Sequence, residues 1–472
     1  MKTLDALFSL LDQPAPGLPV RGITHDSRRV EPGFLFVALP GQKTDGHRYI
    51  DAAIQQGAVA VVGEKPLSLP VPYARVDNAR AALARLAAAF FDYPSRDLFV
   101  IGVTGTDGKT TTSHLIHYLL NALGRPAGLI GSVGYAFEGR WEYPEGHFTT
   151  PEAPELQATL ARMREAGISH VVLETSSHAL AQHRVDEVNY DLAVWTHLSP
   201  EHLDFHGDIE AYFEAKASLV LRAPKAVLNA GCPYARRLFA HPHLAYGPGG
   251  ALWAEDVEEG EKGLSFTLAG AGEGLVVELP MIGAYNVENT LAALATVEAL
   301  GLDLKAAARA LESFPGVPGR MQIVTSAPVR AVVDFAHTPK ALEKALLALR
   351  PTTRGRLIVV VGAAGERDPT KRRPLGAVAA RYADVAIFTE EDSRSEPTET
   401  ILAELAAGAK EGGAEVHLVP ERRRAIALAA RLARPGDTLL FAGKGHERTL
   451  ERNDATLPWD EVAEVRRALG VD

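Results

Sequence analysis

The run Leu98-Phe99-Val100-Ile101-Gly102-Val103-Thr104-Gly105-Thr106-Asp107-Gly108-Lys109-Thr110-Thr111-Thr112 decides how the chain is read. Leu98 to Val103 is apolar and rich in β-branched and aromatic residues, the length of one buried strand. Gly105 and Gly108 allow a tight loop. Lys109 and Thr110 follow, and Ser113 to Leu123 reads as a helix. A strand, a glycine loop and a helix N-terminus in that order form an anion site. Free backbone N–H groups and the positive end of the helix dipole face the same point. Lys109 can then reach the β- and γ-phosphates of a nucleotide, and the Thr110 hydroxyl can ligate Mg2+. The standard phosphate-loop pattern wants glycine where this chain has Val103, so the loop Gly-Thr-Asp-Gly-Lys-Thr is a shorter variant.

A length of 472 residues suits about three domains. With 46% hydrophobic and 23% charged residues, the composition is that of a globular protein with several cores. A net charge of −10 and a pI near 5.9 argue against a nucleic-acid surface. The single cysteine, Cys232, excludes an intrachain disulfide and fits a reducing compartment. The N-terminus, with Asp5 among its apolar residues, reads as a short amphipathic helix and not as a signal peptide. No run of about 18 apolar residues is present. The expectation is a cytoplasmic monomer with no membrane span and no nucleic-acid partner.

Residues 1–93 form a first, smaller α/β domain, with strands at Phe34–Leu39 and Ala58–Gly63, a helix at Ala79–Phe91 and a linker at Tyr93–Arg96. Residues 94–316 alternate strands (His170–Glu174, Leu192–Thr196) with helices (Pro151–Ala166, Ile209–Leu221), the pattern of a mostly parallel sheet. The acidic stretch Glu255–Glu261 reads as an exposed loop. Residues 317–472 restart the alternation, with strands at Ala331–Phe335, Arg356–Val361, Val385–Thr389, Glu415–Val419 and Thr438–Ala442. This is a doubly wound, Rossmann-like unit whose ligands should lie beyond the strand C-termini.

Several residues could carry chemistry. Glu174, at the end of a buried strand, could complete a Mg2+ site beside the phosphate loop, and position alone reads it equally as a solvent-facing acid. His202-Leu203-Asp204-Phe205-His206 lacks the further ligands that zinc needs. By itself His202 reads as a core histidine ahead of a magnesium ligand, and Lys216 reads as a solvated helix residue.

Taken together, Thr104–Thr111, Glu174-Thr175-Ser176-Ser177-His178-Ala179-Leu180, His202-Leu203-Asp204, Ala215-Lys216, Asn286–Asn289 and Asp334–Pro339 resemble the Mur ligases. The resemblance runs from Thr24 to Glu447. It implies three domains: one for the UDP end of the substrate, a central ATPase, and one for the incoming amino acid. It also implies ATP-dependent amide formation on UDP-MurNAc-L-Ala-D-Glu through an acyl phosphate. Gly105, Thr106, Asp107, Gly108, Lys109, Thr110 and Thr111 would hold the phosphates, Asn289 would meet adenine, Asp334 and His337 would reach ribose or phosphate, and Arg320 the γ-phosphate. His25, Asp26, Ser27, Gln42, Lys43 and Thr44 would contact the uridine nucleotide. Thr149, Thr150, Ser176, Gln182 and Arg184 would hold the muramoyl-peptide part. Two Mg2+ ions are implied, with Thr110 and Glu174 on one and His202 and Lys216 on the other. Lys216 would carry a CO2-derived carbamate (N6-carboxylysine), which turns a cation into a carboxylate-like ligand.

Two positions depart from the family pattern. Asp107 stands where asparagine is usual, and is expected to point away from the phosphates, toward a helix N-cap. Members that add meso-diaminopimelate typically carry Asp-Asn-Pro-Arg, where this chain has Glu391-Asp392-Ser393-Arg394. Arg394 could grip a carboxylate, and Arg367, Gly443 and Glu447 also match the amino-acid site. The acids Glu390, Glu391 and Asp392 favour a side chain ending in an ammonium, lysine or ornithine, and leave diaminopimelate open. The alternatives are a sister ligase that adds D-Ala-D-Ala or extends folates, or a regulatory ATPase that makes no amide.

Overall fold

The computed structural model describes the chain apart from residues 1, 42–43, 145–147, 261–262, 272–273, 454 and 472. It divides into two compact units, residues 1–253 with 289–307, and residues 254–288 with 308–472.

In the first unit, Gly22–Thr24, Phe34–Val37, Ala60–Gly63 and Tyr73–Arg75 form a parallel sheet in that order. Leu35, Val37 and Val62 share a core with Leu83 and Leu86 of the helix Ala79–Phe90. Asn78 starts this helix by accepting from the Arg80 and Ala81 N–H groups. The expected N-terminal helix is Leu4–Phe8, with Leu4, Leu7 and Phe8 buried. The expected linker is not a solvated connection. Pro94–Arg96 is a 3-10 turn with Pro94 and Ser95 buried, and the Ser95 hydroxyl accepts from Asn189 N–H.

The central sheet of this unit runs Arg140–Glu142, Gly134–Phe137, Ala127–Gly131, His170–Glu174, Phe99–Thr104, Leu192–Trp195, Ala226–Asn229, His243–Tyr246. The last six are parallel and the first two pair antiparallel. Phe99–Thr104 therefore lies inside the sheet, which is why it reads as a continuous apolar run. Its register sets Glu174 beside Val103 and Trp195 beside Thr104. Side chains alternate along a strand, so a slip of one residue would turn Glu174 to the opposite face. Of the acidic stretch expected as a loop, residues 255–260 belong to a strand, Leu252–Gly260, whose Glu255, Asp256 and Glu258 are exposed, and Glu261 lies outside the described residues. A strand with one solvated face accepts acids as readily as a loop does, so composition could not separate the two.

In the second unit the strand order is Gln322–Thr325, Arg330–Asp334, Thr438–Ala442, Leu357–Val361, Val385–Phe388, Glu415–Leu418, parallel except for the first. The strand of this sheet that comes last in sequence thus lies between the two that come first among its parallel strands. That reversal of strand order is where loops at the C-terminal edge diverge to leave a binding crevice. A buried ion pair braces these loops. Arg422 and Glu461 are both fully buried, with Nη2 2.6 Å from Oε1, and Arg422 also donates to the Ala442 carbonyl at 2.8 Å. The Trp459 indole donates to Glu461 Oε2 at 2.7 Å. Glu461→Ala would strand a dry guanidinium, which costs about 3–5 kcal/mol. The expected reading is a melting transition lowered by roughly 10 °C for a unit of this size.

Candidate active site

The phosphate loop is packed too closely for side chains. Gly105 has φ +148° and Gly108 φ +85°. A Cβ on Gly105 would lie 1.9 Å from Thr196 Oγ1, and one on Gly108 2.3 Å from Asn289 Oδ1. Thr196 Oγ1 donates to the Asp107 carbonyl at 2.6 Å, and Thr106 N–H to the His197 carbonyl at 2.5 Å. The Thr106 hydroxyl bonds both backbone groups of Ser199, donating at 3.1 Å and accepting at 3.0 Å. The loop is thus hung on residues 196–199. Lys109 Nζ curls back to the carbonyls of Gly105 (3.0 Å) and Thr106 (2.8 Å). The helix Lys109–Ala122 begins at Gly108 with no side-chain cap. Asp107 is therefore not its N-cap residue, contrary to expectation; it precedes the cap and is exposed. Thr110 and Thr111 are buried in the first turn.

Glu174 is fully buried, which removes the solvent-facing alternative. Its Oε2 accepts from the Thr110 and Ser132 hydroxyls, each at 3.0 Å, and its Oε1 from Ser132 N–H at 3.1 Å. Ser132, in the glycine-flanked turn Gly131-Ser132-Val133-Gly134, escaped the sequence reading. Its hydroxyl also lies 3.0 Å from Thr149 Oγ1. The paired oxygens of Thr110 and Glu174 suit a hard cation that keeps few protein ligands and completes its shell with phosphate and water. Among the described residues, no group of three or more His, Cys, Asp or Glu forms a metal cage.

Lys216 is not a solvated helix residue. It is 1% exposed, its Nζ donates to the Gly105 carbonyl at 2.6 Å, and it lies 4.7 Å from the Tyr212 ring centroid. Burial, with the nearby Lys109 charge second, holds its pKa well below that of a free lysine. His202 is exposed and so is not a core histidine; it stands in the left-handed region (φ 55°) with its ring 4.7 Å from that of His178. Partial desolvation of the ring, with the nearby Lys109 charge second, lowers the His202 pKa. The structure therefore brings Lys109, His202 and Lys216 into one electrostatic neighbourhood.

Beside it lies a polar shelf. The Thr150 hydroxyl donates to the Glu174 carbonyl at 2.8 Å and reaches Ser176 Oγ at 3.2 Å. Arg184 donates to the Thr150 carbonyl at 3.0 Å and to Gln182 Oε1 at 2.6 Å. His25 is within electrostatic reach of Glu152, Arg80 and Arg184, and burial lowers its pKa. Asp26 caps the turn Ser27–Arg29 and is paired with Arg28. The Thr44 hydroxyl meets Tyr49 at 3.1 Å. Gln42 and Lys43 lie outside the described residues.

In the second unit, Asp334 accepts from the N–H groups of Met321 (2.7 Å) and Ala336 (2.9 Å). Burial raises its pKa and Arg320 opposes the rise. The Arg320 guanidinium lies 4.7 Å from the Phe335 ring centroid, and His337 Nδ1 is 2.9 Å from the Phe335 carbonyl. The loop acids are not a free negative patch. Glu390 is held by Arg452 and by Arg422 N–H. Asp392 is 2.8 Å from the buried Lys444 Nζ, which also meets Glu447 at 2.5 Å. Only Glu391 keeps a buried carboxylate oxygen, Oε2, with no hydrogen-bond partner, and a Cβ on Gly443 would come 2.5 Å from it. Burial raises its pKa against the pull of Lys371, Lys444 and Arg422. Arg394 already uses its fork on Glu451 (2.7 Å) and the Gly365 carbonyl (2.6 Å). Arg367 is exposed, and Ser393 is buried.

Three stretches match domains described as "Mur ligase family, catalytic domain" (19–91), "Mur ligase middle domain" (103–297) and "Mur ligase, glutamate ligase domain" (319–445). The chain belongs to the Mur ligase family. The UDP-N-acetylmuramyl-tripeptide synthetase of Deinococcus radiodurans is 50% identical over 99% of both chains. A UDP-N-acetylmuramoyl-L-alanyl-D-glutamate–2,6-diaminopimelate ligase of Streptomyces avermitilis is 43% identical over 97% of this chain and 94% of its own. A solved structure of an enzyme with that same name superposes with a TM-score of 0.69 at 32% identity, over 99% of this chain and 98% of the other. This Mur ligase is an ATP-dependent enzyme with the three-domain α/β fold of its family. No helix among its described residues is long and apolar enough to cross a membrane.

Proposed function

We propose that this Mur ligase joins a diamino acid to the D-glutamyl carboxylate of UDP-MurNAc-L-Ala-D-Glu. The carboxylate oxygen takes the γ-phosphoryl group of ATP, giving an acyl phosphate and ADP. The amine nitrogen then attacks the acyl carbon, phosphate leaves, and the amine's proton passes to solvent. The reading rests on one observation: Glu174 bonded to the Thr110 hydroxyl beside the Lys109 loop, in a chain similar from end to end to a tripeptide synthetase. Residues 1–93 would take the UDP end, 94–316 ATP, and 317–472 the amino acid, in the cytoplasm and as a monomer.

Catalysis here is charge management and positioning. Lys109 would exchange its two loop carbonyls for phosphate oxygens. Thr110 and Glu174 would hold one Mg2+, and His202 with carboxylated Lys216 the other. Bound there, the ions would offset the negative charge that gathers when a carboxylate approaches ATP. As an ammonium, Lys216 could only donate to the Gly105 carbonyl and would offer no lone pair to a cation. Dry and close to Lys109, it favours the neutral nucleophilic form that adds to CO2 and releases a proton. The same Lys109 charge that disfavours an ammonium favours the resulting carbamate.

For the amino acid, we propose lysine or ornithine ahead of meso-diaminopimelate. Neutralised Glu390 and Asp392 no longer support that choice, and it rests on the unpartnered Glu391 oxygen, which fits an ammonium, and on the prior engagement of Arg394. Steady-state ADP release with UDP-MurNAc-L-Ala-D-Glu and each of the three amino acids tests this. Faster turnover with lysine or ornithine is expected, and a hundredfold preference for diaminopimelate overturns it. ADP release indifferent to any amino acid would instead return the chain to the regulatory ATPase reading.

A further inference from the structure

One carboxylate in the first unit serves two guanidinium groups. Glu152, at the start of the helix Ala153–Glu165, lies 3.0 Å from Arg184 Nε and 3.7 Å from Arg80 Nη1. Both contacts are ionic only. Arg184 Nε and Arg80 Nη1 are buried and have no hydrogen-bond acceptor. The Arg184 side chain is 9% exposed, so a donor left unsatisfied there is costly. Arg80 occupies the first turn of Ala79–Phe90, where a cation opposes the helix dipole. At 3.7 Å without a hydrogen bond, the pair with Glu152 is a poor structural reason for so placing it. Around these two donors stand the Thr150 carbonyl and Gln182, both fixed by Arg184, and His25.

We infer that Arg80, with Arg184, forms a two-guanidinium seat for an oxyanion of the UDP-muramoyl substrate, and that Glu152 holds the pair in place while the substrate is absent. This rests on the substrate proposed above and adds a residue, Arg80, that the sequence did not single out. An oxyanion placed between the groups supplies acceptors to both unsatisfied N–H donors, and a charge-assisted bond to guanidinium is among the stronger contacts in proteins. The oxyanion is either a phosphate of the diphosphate or a carboxylate of the peptide.

Calorimetric binding of UDP-MurNAc-L-Ala-D-Glu, of UDP and of ATP to the full-length protein, wild type and Arg80→Gln, tests the seat. The variant should bind the whole substrate roughly 10- to 100-fold more weakly and bind ATP as the wild type does, which also reports an intact fold. A matching loss with UDP assigns the seat to the diphosphate, and a loss confined to the whole substrate assigns it to the peptide carboxylate. Arg80→Lys, which keeps the charge without the fork, should lose less. Should Arg80→Gln or Arg80→Lys bind ATP normally and bind the substrate as tightly as the wild type, the seat is wrong. If the wild type itself ignores UDP-MurNAc-L-Ala-D-Glu, the proposed function fails first.

Discussion

Replacing Lys216 by alanine should cut turnover by at least about 10^3-fold, a loss of some 4 kcal/mol in transition-state stabilisation. Three things vanish with the side chain: the nitrogen proposed to carry the carbamate, the bond to the Gly105 carbonyl, and the filling beside Tyr212. Added bicarbonate should not restore activity, because no amine is left to take up CO2. Lys216→Arg separates the possible roles. Arginine keeps a cation near Gly105 but cannot form a carbamate, so it should be as inactive as alanine. A retained rate in Lys216→Arg would mean that the lysine acts as a cation, and full activity in Lys216→Ala would remove the carbamate altogether. Intact-mass analysis of the wild type under CO2 gives an independent reading, an added mass of one CO2 that is lost in both variants.

Glu174→Gln should lower kcat by roughly 10^2- to 10^3-fold, through loss of the anionic ligand proposed for Mg2+. The amide nearly preserves the shape of the carboxylate, so Ser132 and Thr110 still find hydrogen-bond partners and the fold should persist. The distinguishing readout is the magnesium titration. A metal ligand predicts that half-maximal activity moves to higher Mg2+, whereas a purely structural Glu174 predicts a lower melting temperature with the magnesium midpoint unmoved.

Much of this was legible in the residues themselves. Continuous apolar runs such as Phe99–Thr104 and Leu357–Val361, short, rich in β-branched residues and bounded by turn signals, read as buried strands. The glycines of the loop are demanded by backbone geometry at Gly105 and Gly108. Less legible were the strand in the acidic stretch and the buried turn at Pro94, because solvated strands and loops share a composition.

By itself, then, the sequence determined the phosphate loop, the alternation of strands and helices, and the family, since these depend on local spacing and on motifs that survive in one dimension. Tertiary structure alone decided the charge state of the site. It buried Lys216 against Gly105, cancelled Glu390 and Asp392 with Arg452 and Lys444, and set Arg80 and Arg184 on a single carboxylate. Partners 32 to 111 residues apart decide whether a charge is solvated, paired or stranded. A charge's energy depends on the dielectric and the neighbours that folding brings to it, and neither is written in the residues beside it.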